Sequence, residues 1–224
     1  MAKPPGMRAF VGALALAPTV LLVSIPTAAH AAAPAAPTAP MRAPVTAPVA
    51  PASGGISIQT TKTLSIVTQT QSTGYYCAPA AGRVLLSRFL SKSKLPSQKY
   101  IAGKMSTKTS GTTRSNNIKG LNNTGIRNKH EFINTHPSNA GNLWTFVINS
   151  TKKGWVMAGG VQYGHRPYGR TTSDKTGHII VAYGYSTTGG KYIYWWDPID
   201  NSRHKASLSK SWSSISRGGK FLIG

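Results

Sequence analysis

"QSTGYYCAPAAGRVLLSRFL", residues 71–90, holds the only cysteine of a 224-residue chain. Ala81, Leu85 and Phe89 recur at four-residue spacing, and Val84 and Leu86 widen the apolar stripe. That period predicts an amphipathic helix of about three turns. Pro79 suits its first turn, where a missing N–H costs nothing. Cys77 is therefore expected at the N-terminal mouth of a helix packed into the core. The positive end of the helix dipole stabilises a thiolate there. A lone cysteine has no internal disulfide partner, so it is a small buried hydrophobe, an intermolecular link or a working thiol. A space-filling cysteine belongs on the inward stripe, and a place at the helix mouth selects the working thiol.

A thiolate nucleophile needs a base within hydrogen-bond reach, and the base needs an orienting group. In "GHIIVAYGY", residues 177–185, a β-branched run bounded by glycines reads as a buried strand with His178 at its start. A turn at residues 187–190 leads to a second strand, Tyr192 to Trp196, which ends at Asp197-Pro198. The hairpin brings Asp197 back beside His178, a geometry for a His–Asp orienting pair. Two plainer readings stay open: His178 donating to a backbone carbonyl, and Asp197 starting an Asp-Pro turn.

Other candidates are weaker. His165 in "QYGHRPYG" is a second possible base. His130, Glu131 and His136 lack the paired-histidine spacing of zinc peptidases and read as surface residues. Neither metal nor cofactor is expected. No nucleophile-elbow serine and no phosphate-binding loop is present in the sequence, which excludes serine-hydrolase and nucleotide chemistry of those types.

The remaining segments suggest the architecture. "LPSQKYIAGKM" (95–105) and "SNNIKGLNN" (115–123) read as short helices capped by Ser97 and Ser115. "GNLWTFVINSTKKG" (141–154) reads as a third helix stopped by Gly154. "WVMAGGVQYG" (155–164) fits the first sheet strand, with Gly159-Gly160 as a bulge, and Trp195-Trp196 read as core and cleft wall. Helices first and antiparallel strands after give an α+β domain with a cleft between its halves.

The N-terminal quarter differs in kind. Residues 1–31 read as a secretory signal peptide: Lys3 and Arg8, an uncharged run from Ala9 to Ala29, then Ala29-His30-Ala31 as cleavage pattern. A membrane anchor is the competing reading, disfavoured by Pro18 and Pro26. Residues 32–54 are Ala/Pro-rich and read as a linker or propeptide. Residues 55–224 have the size of one domain. With 26 Lys and Arg against four Asp and Glu the chain carries +22, and losing Lys3 and Arg8 with the signal leaves +20. The bases are scattered, giving a whole-surface field suited to anionic polymers such as cell-wall phosphates and no dedicated nucleic-acid arm. The expectation is a secreted monomer with no transmembrane segment once the signal is gone.

The ordered pieces "Q…YYCAPAA…LLS", "GHIIVAYGY" and "WWDP" resemble papain-like cysteine peptidases of the bacteriocin-processing, double-glycine type, especially stand-alone secreted members. The segment 95–123 is similar to the helical stretch those proteins carry between nucleophile and base. The resemblance implies a papain-like fold, helical N-terminal half on an antiparallel sheet, and hydrolysis of peptide bonds. It implies Cys77 as nucleophile, His178 as general base, Asp197 as its orienter and Gln71 as a donor to the oxyanion. One departure is Ala78, where the family usually has glycine, and a narrowed or altered site is expected from the extra methyl. Two other functions fit the residues: a non-catalytic exported protein holding anionic cell-wall polymers, and a cell-wall amide hydrolase using the same thiol.

Overall fold

The computed structural model describes residues 59–125, 130–169 and 171–224. The expected signal segment, the linker and the first residues of the expected domain lie outside them. Seven strands form one sheet: β1 (Thr61–Thr63), β2 (Asn134–Thr135), β3 (Met157–Gln162), β4 (Gly177–Ser186), β5 (Tyr192–Asp197), β6 (Ser202–Ser207) and β7 (Leu222–Ile223). Their order is β2-β7-β3-β4-β5-β6, with β1 paired to the end of β4, and every pairing is antiparallel.

Helices cover both faces, which explains why β4 reads as an almost unbroken apolar run. Ile179, Val181 and Tyr183 of β4 enter one core with helices α1 (Cys77–Leu86), α2 (Gln98–Lys104) and α3 (Arg114–Asn122). Ile180, Ala182 and Tyr185 enter a second core with α4 (Ala140–Lys152) and α5 (Leu208–Arg217). Trp195 and Trp196, both fully buried, point to opposite cores, as alternation along a strand requires. Each indole N–H finds an acceptor, Ser211 Oγ and Asn201 Oδ1, both at 3.0 Å. They are core residues. The α+β class and the papain-like arrangement expected from the sequence are what the fold shows. The second helical layer, α4 with α5, goes beyond the expected helices-then-sheet scheme.

Three local expectations are corrected. Gly159 and Gly160 pair in regular register with Ile180 and Ile179 and make no bulge. Their missing side chains make room for what packs on them: a Cβ at Gly159 would sit 2.7 Å from the Ile215 side chain. The register shift lies between Ala182 and Gly184 instead. It reverses the alternation, so that Tyr185 joins the second core, and it sets Gly184 against β1, where a Cβ would meet Thr63 at 2.8 Å. Helix α3 is capped by Thr113, whose hydroxyl accepts from Asn116 N, and Ser115 is already helical. Finally, β1 and β2 precede the strand read as first, both too short to show a period.

Ser97 caps α2 as expected, and Gly154, at φ 84°, lies just beyond the end of α4 in the left-handed region that glycine favours. Among the described residues no helix is long and apolar enough to cross a membrane.

Candidate active site

Cys77 is the first residue of α1 and is a free, half-buried thiol. No acid lies in that first turn and no side chain caps it, so the helix N-terminus presents its field to the sulfur. His178 is the second residue of β4, only 4% exposed, and Asp197 ends β5 fully buried. His178 Nε2 donates to Asp197 Oδ1 at 2.8 Å. An ionised carboxylate only accepts, so Nε2 carries the proton and Nδ1 is left for the thiol. Burial disfavours the imidazolium, yet the hydrogen bonds and charges of Asp197 and Cys77 outweigh it and push His178 up to about 9. The hairpin reading of the sequence is realised: strands β4 and β5 carry His178 and Asp197 to hydrogen-bond distance at one rim of the sheet.

Two residues that sequence reasoning missed complete the acid's surroundings. Asp197 Oδ2 accepts from Tyr168 Oη at 2.7 Å and from Arg166 Nη1 at 3.0 Å, while Oδ1 also accepts from Ile199 N at 3.0 Å. Burial alone would raise the carboxyl, but these donors, with His178 first among them, hold it well below the usual carboxylate range. Burial likewise disfavours charge on Arg166, and the Asp197 hydrogen bond and charge more than compensate. The Tyr168 ring stacks on His204 with centroids 3.7 Å apart, which fixes its hydroxyl. Burial first, and then the Asp197 charge, push that phenol far up, so it stays a donor. The signal available in sequence was stoichiometric: a buried carboxylate has about four acceptor sites, and one histidine fills one of them.

Gln71 stands just before α1. Its backbone N–H donates to the Pro198 carbonyl at 2.8 Å, next to Asp197, and its side-chain Nε2 donates to Thr73 O at 2.9 Å. Its Oε1 is buried without a partner. The loop is thereby tied to the acid's end of β5, with the second amide hydrogen of Gln71 uncommitted.

Two hollows open beside the thiol and share Cys77, Ser110, Gly111, Thr176, Gly177 and His178. One, of about 370 Å³, adds Tyr75, Tyr163, Asp174 and Ile199. The other, of about 340 Å³, adds Arg114, Val161, Ile179 and Phe221 over a floor of Gly160 and Gly218.

Residues 63–220 match the model of the Peptidase C39-like family. The chain belongs to that family. Among solved structures it is similar to the peptidase domain of Streptococcus ComA, a bifunctional ABC transporter involved in a quorum-sensing pathway, at 15% identity and a TM-score of 0.49. That match covers 71% of this chain and 95% of the other. No curated protein matches.

In this C39-like chain Ala78, the departure from the family pattern, is 2% exposed and packs in the first core. Its methyl lines neither hollow, so the narrowing expected from sequence does not appear there. His165 lines a separate hollow with Arg166 and Lys210. His130 is not a plain surface residue: it sits among the Phe89, Phe132 and Trp155 rings, and burial pushes it down. No group of His, Cys, Asp or Glu among the described residues has a metal-binding arrangement.

Proposed function

We propose that this C39-like chain is a cysteine peptidase working through Cys77, His178 and Asp197. The observation that carries the reading is His178 held between the thiol and a buried, four-times hydrogen-bonded carboxylate. The attacking form is the Cys77 thiolate paired with the His178 imidazolium. The thiolate attacks a peptide carbonyl carbon and its π electrons move to oxygen. The oxyanion is held by the Cys77 backbone N–H and by the uncommitted hydrogen of the Gln71 amide. Collapse expels the amine, which takes the His178 proton, and leaves a thioester. Water, deprotonated by His178, then releases the acid and restores the thiolate–imidazolium pair.

Peptide hydrolysis by the purified chain and by Cys77→Ala tests this. Loss of all turnover in the variant, with its melting temperature kept, is expected; unchanged hydrolysis overturns the reading. Gln71→Ala should lower kcat by about 10²–10³-fold with KM little changed, as for loss of one oxyanion donor. The same reading places the enzyme outside the cell, supported by the +22 charge and the signal-like residues 1–31. N-terminal sequencing of protein recovered from culture medium tests that; a start at Met1 within the cell pellet alone would sink it.

A further inference from the structure

We propose that Asp174 makes the hollow beside Cys77 a subsite for a cationic side chain, so that the substrate carries Lys or Arg next to the bond that is cut. The proposal rests on the cysteine-peptidase reading for its meaning, and its test separates the two. Acids are scarce here: four against 26 bases. Asp197 is consumed by the triad, Asp200 faces His204 at 4.0 Å, and Glu131 lies outside both hollows. Among the four acids Asp174 alone lines a hollow beside the nucleophile, on its solvent-exposed rim.

Its loop is pinned. Asp174 O accepts from Gly164 N at 2.9 Å, and a Cβ at Gly164 would lie 2.5 Å from that oxygen, so the two segments touch closely. Asp174 N donates to Thr172 Oγ1 at 3.3 Å, and Oδ1 accepts from Thr176 N at 2.8 Å. The Thr176 hydrogen bonds hold the carboxyl below its ordinary value. Among the described residues Oδ2 has no hydrogen-bond partner and no Lys or Arg lies within ion-pair distance. The Tyr75 and Tyr163 rings line the same hollow and offer apolar surface to the stem of a long basic side chain.

The second hollow has the opposite character. Apart from the Cys77–His178 pair that both hollows share, its one charged residue is Arg114, whose guanidinium lies 4.8 Å from the centre of the Phe221 ring; Val161 and Ile179 line the same hollow. A peptide crossing Cys77 therefore meets an anionic, aromatic wall on one side and a cationic, apolar wall on the other. Elsewhere the field of the chain repels a cationic peptide, so recognition of a base must be local.

Two measurements test this. The first profiles cleavage of quenched peptides that differ only in Lys, Arg, Ala or Glu beside the scissile bond. The parent should favour Lys and Arg at one position. Asp174→Asn keeps an acceptor for Thr176 N and should lose about fivefold or more in kcat/KM on the basic peptides, as for a lost charge-assisted hydrogen bond, and clearly less on the Ala peptide. Asp174→Lys should turn the preference towards Glu. The second needs no turnover. Cys77 is the only thiol, so its modification rates by a cationic aminoethyl and a neutral hydroxyethyl methanethiosulfonate can be compared in parent and Asp174→Asn. The cationic-to-neutral ratio should fall in the variant. Cleavage without a basic preference, or one indifferent to Asp174→Asn, overturns the subsite and leaves the peptidase standing. No cleavage, together with a charge ratio that falls in the variant, overturns the peptidase reading and keeps the subsite. A ratio unmoved by the variant overturns the subsite whatever the cleavage result.

Discussion

His178 and His130 are the same residue in similarly apolar surroundings, and their titrations move in opposite directions. His130 lies between the rings of Phe89, Phe132 and Trp155, with centroids 4.6–4.9 Å away, and burial pushes it below the ordinary value of 6.5. His178 is opposed by burial as well, yet it is pushed up to about 9 because Asp197 stands 2.8 Å from Nε2 and Cys77 adds a hydrogen bond and charge to the same ring. Burial explains one histidine and a counter-charge the other. A buried carboxylate decides whether an imidazole fills space or handles protons.

The most direct way to break the contrast is Asp197→Asn, which should make His178 resemble His130. Peptide hydrolysis should fall on the order of 10³–10⁴-fold, as when the orienting acid of a triad is neutralised. The His178 ring resonance should titrate below 6.5 by NMR; a titration still near 9 would show that the acid is not the cause.

Stability against pH sharpens it next. His178 has a folded value above its unfolded 6.5, so its contribution is fully present below 6.5 and is lost as pH rises through about 9. A rise from 6.5 to about 9 corresponds to on the order of 3 kcal/mol. Asp197 has a depressed folded value, so its contribution is present above about 4 and is lost as pH falls below that. His130, lowered in the fold, has the sign opposite to His178, and its effect is a loss of stability as pH falls below 6.5. Thermal melts of the parent and His178→Ala from pH 5 to 10 should converge on the alkaline side; parallel curves would contradict the pair.

A smaller effect is expected from Tyr168→Phe, which removes one of the four donors to Asp197 while Arg166 stays. Turnover should drop about tenfold, the scale of one hydrogen bond to a charged group, with KM unchanged and the His178 titration displaced. An unaltered His178 titration would make Tyr168 merely a packing residue. Smallest is His130→Phe: activity should stay within about twofold and part of the acid-side loss of stability should vanish, since an isosteric ring needs no proton. A large loss of activity would mean that the aromatic cluster supports the site.

How much of this was legible follows from range. Cys77, His178 and Asp197 could be placed because each sits at the end of a strongly patterned element, a four-residue stripe or a β-branched run. Arg166 and Tyr168 could not, because "HRPYG" has no period and its approach to Asp197 is a tertiary fact. The loop geometry around Gln71 is equally non-local, and only the resemblance to papain-like peptidases pointed to that residue. Strand β6, "SRHKAS", escaped because it is a polar edge strand without an apolar alternation. Helix α5, "LSKSWSSISR", does carry an apolar stripe, Leu208, Trp212 and Ile215, but the stripe is narrow and shares the inward face with buried Ser211 and Ser214.

Strand β7 gives the domain an order of assembly. Leu222 and Ile223 come after every other strand in the chain, yet they lie between β2 and β3, with Leu222 in one core and Ile223 in the other. While a ribosome still holds them, β2 has no partner, β3 has an open edge, and each core lacks a fully buried wall. Neither core can be completed before β7 arrives, and contacts so distant in sequence form slowly. Proteolysis of ribosome-arrested chains reads this directly, with protection arriving only once residues 222–223 have emerged. A partly made chain thus keeps β2 unpaired and both cores short of a wall until its last strand arrives.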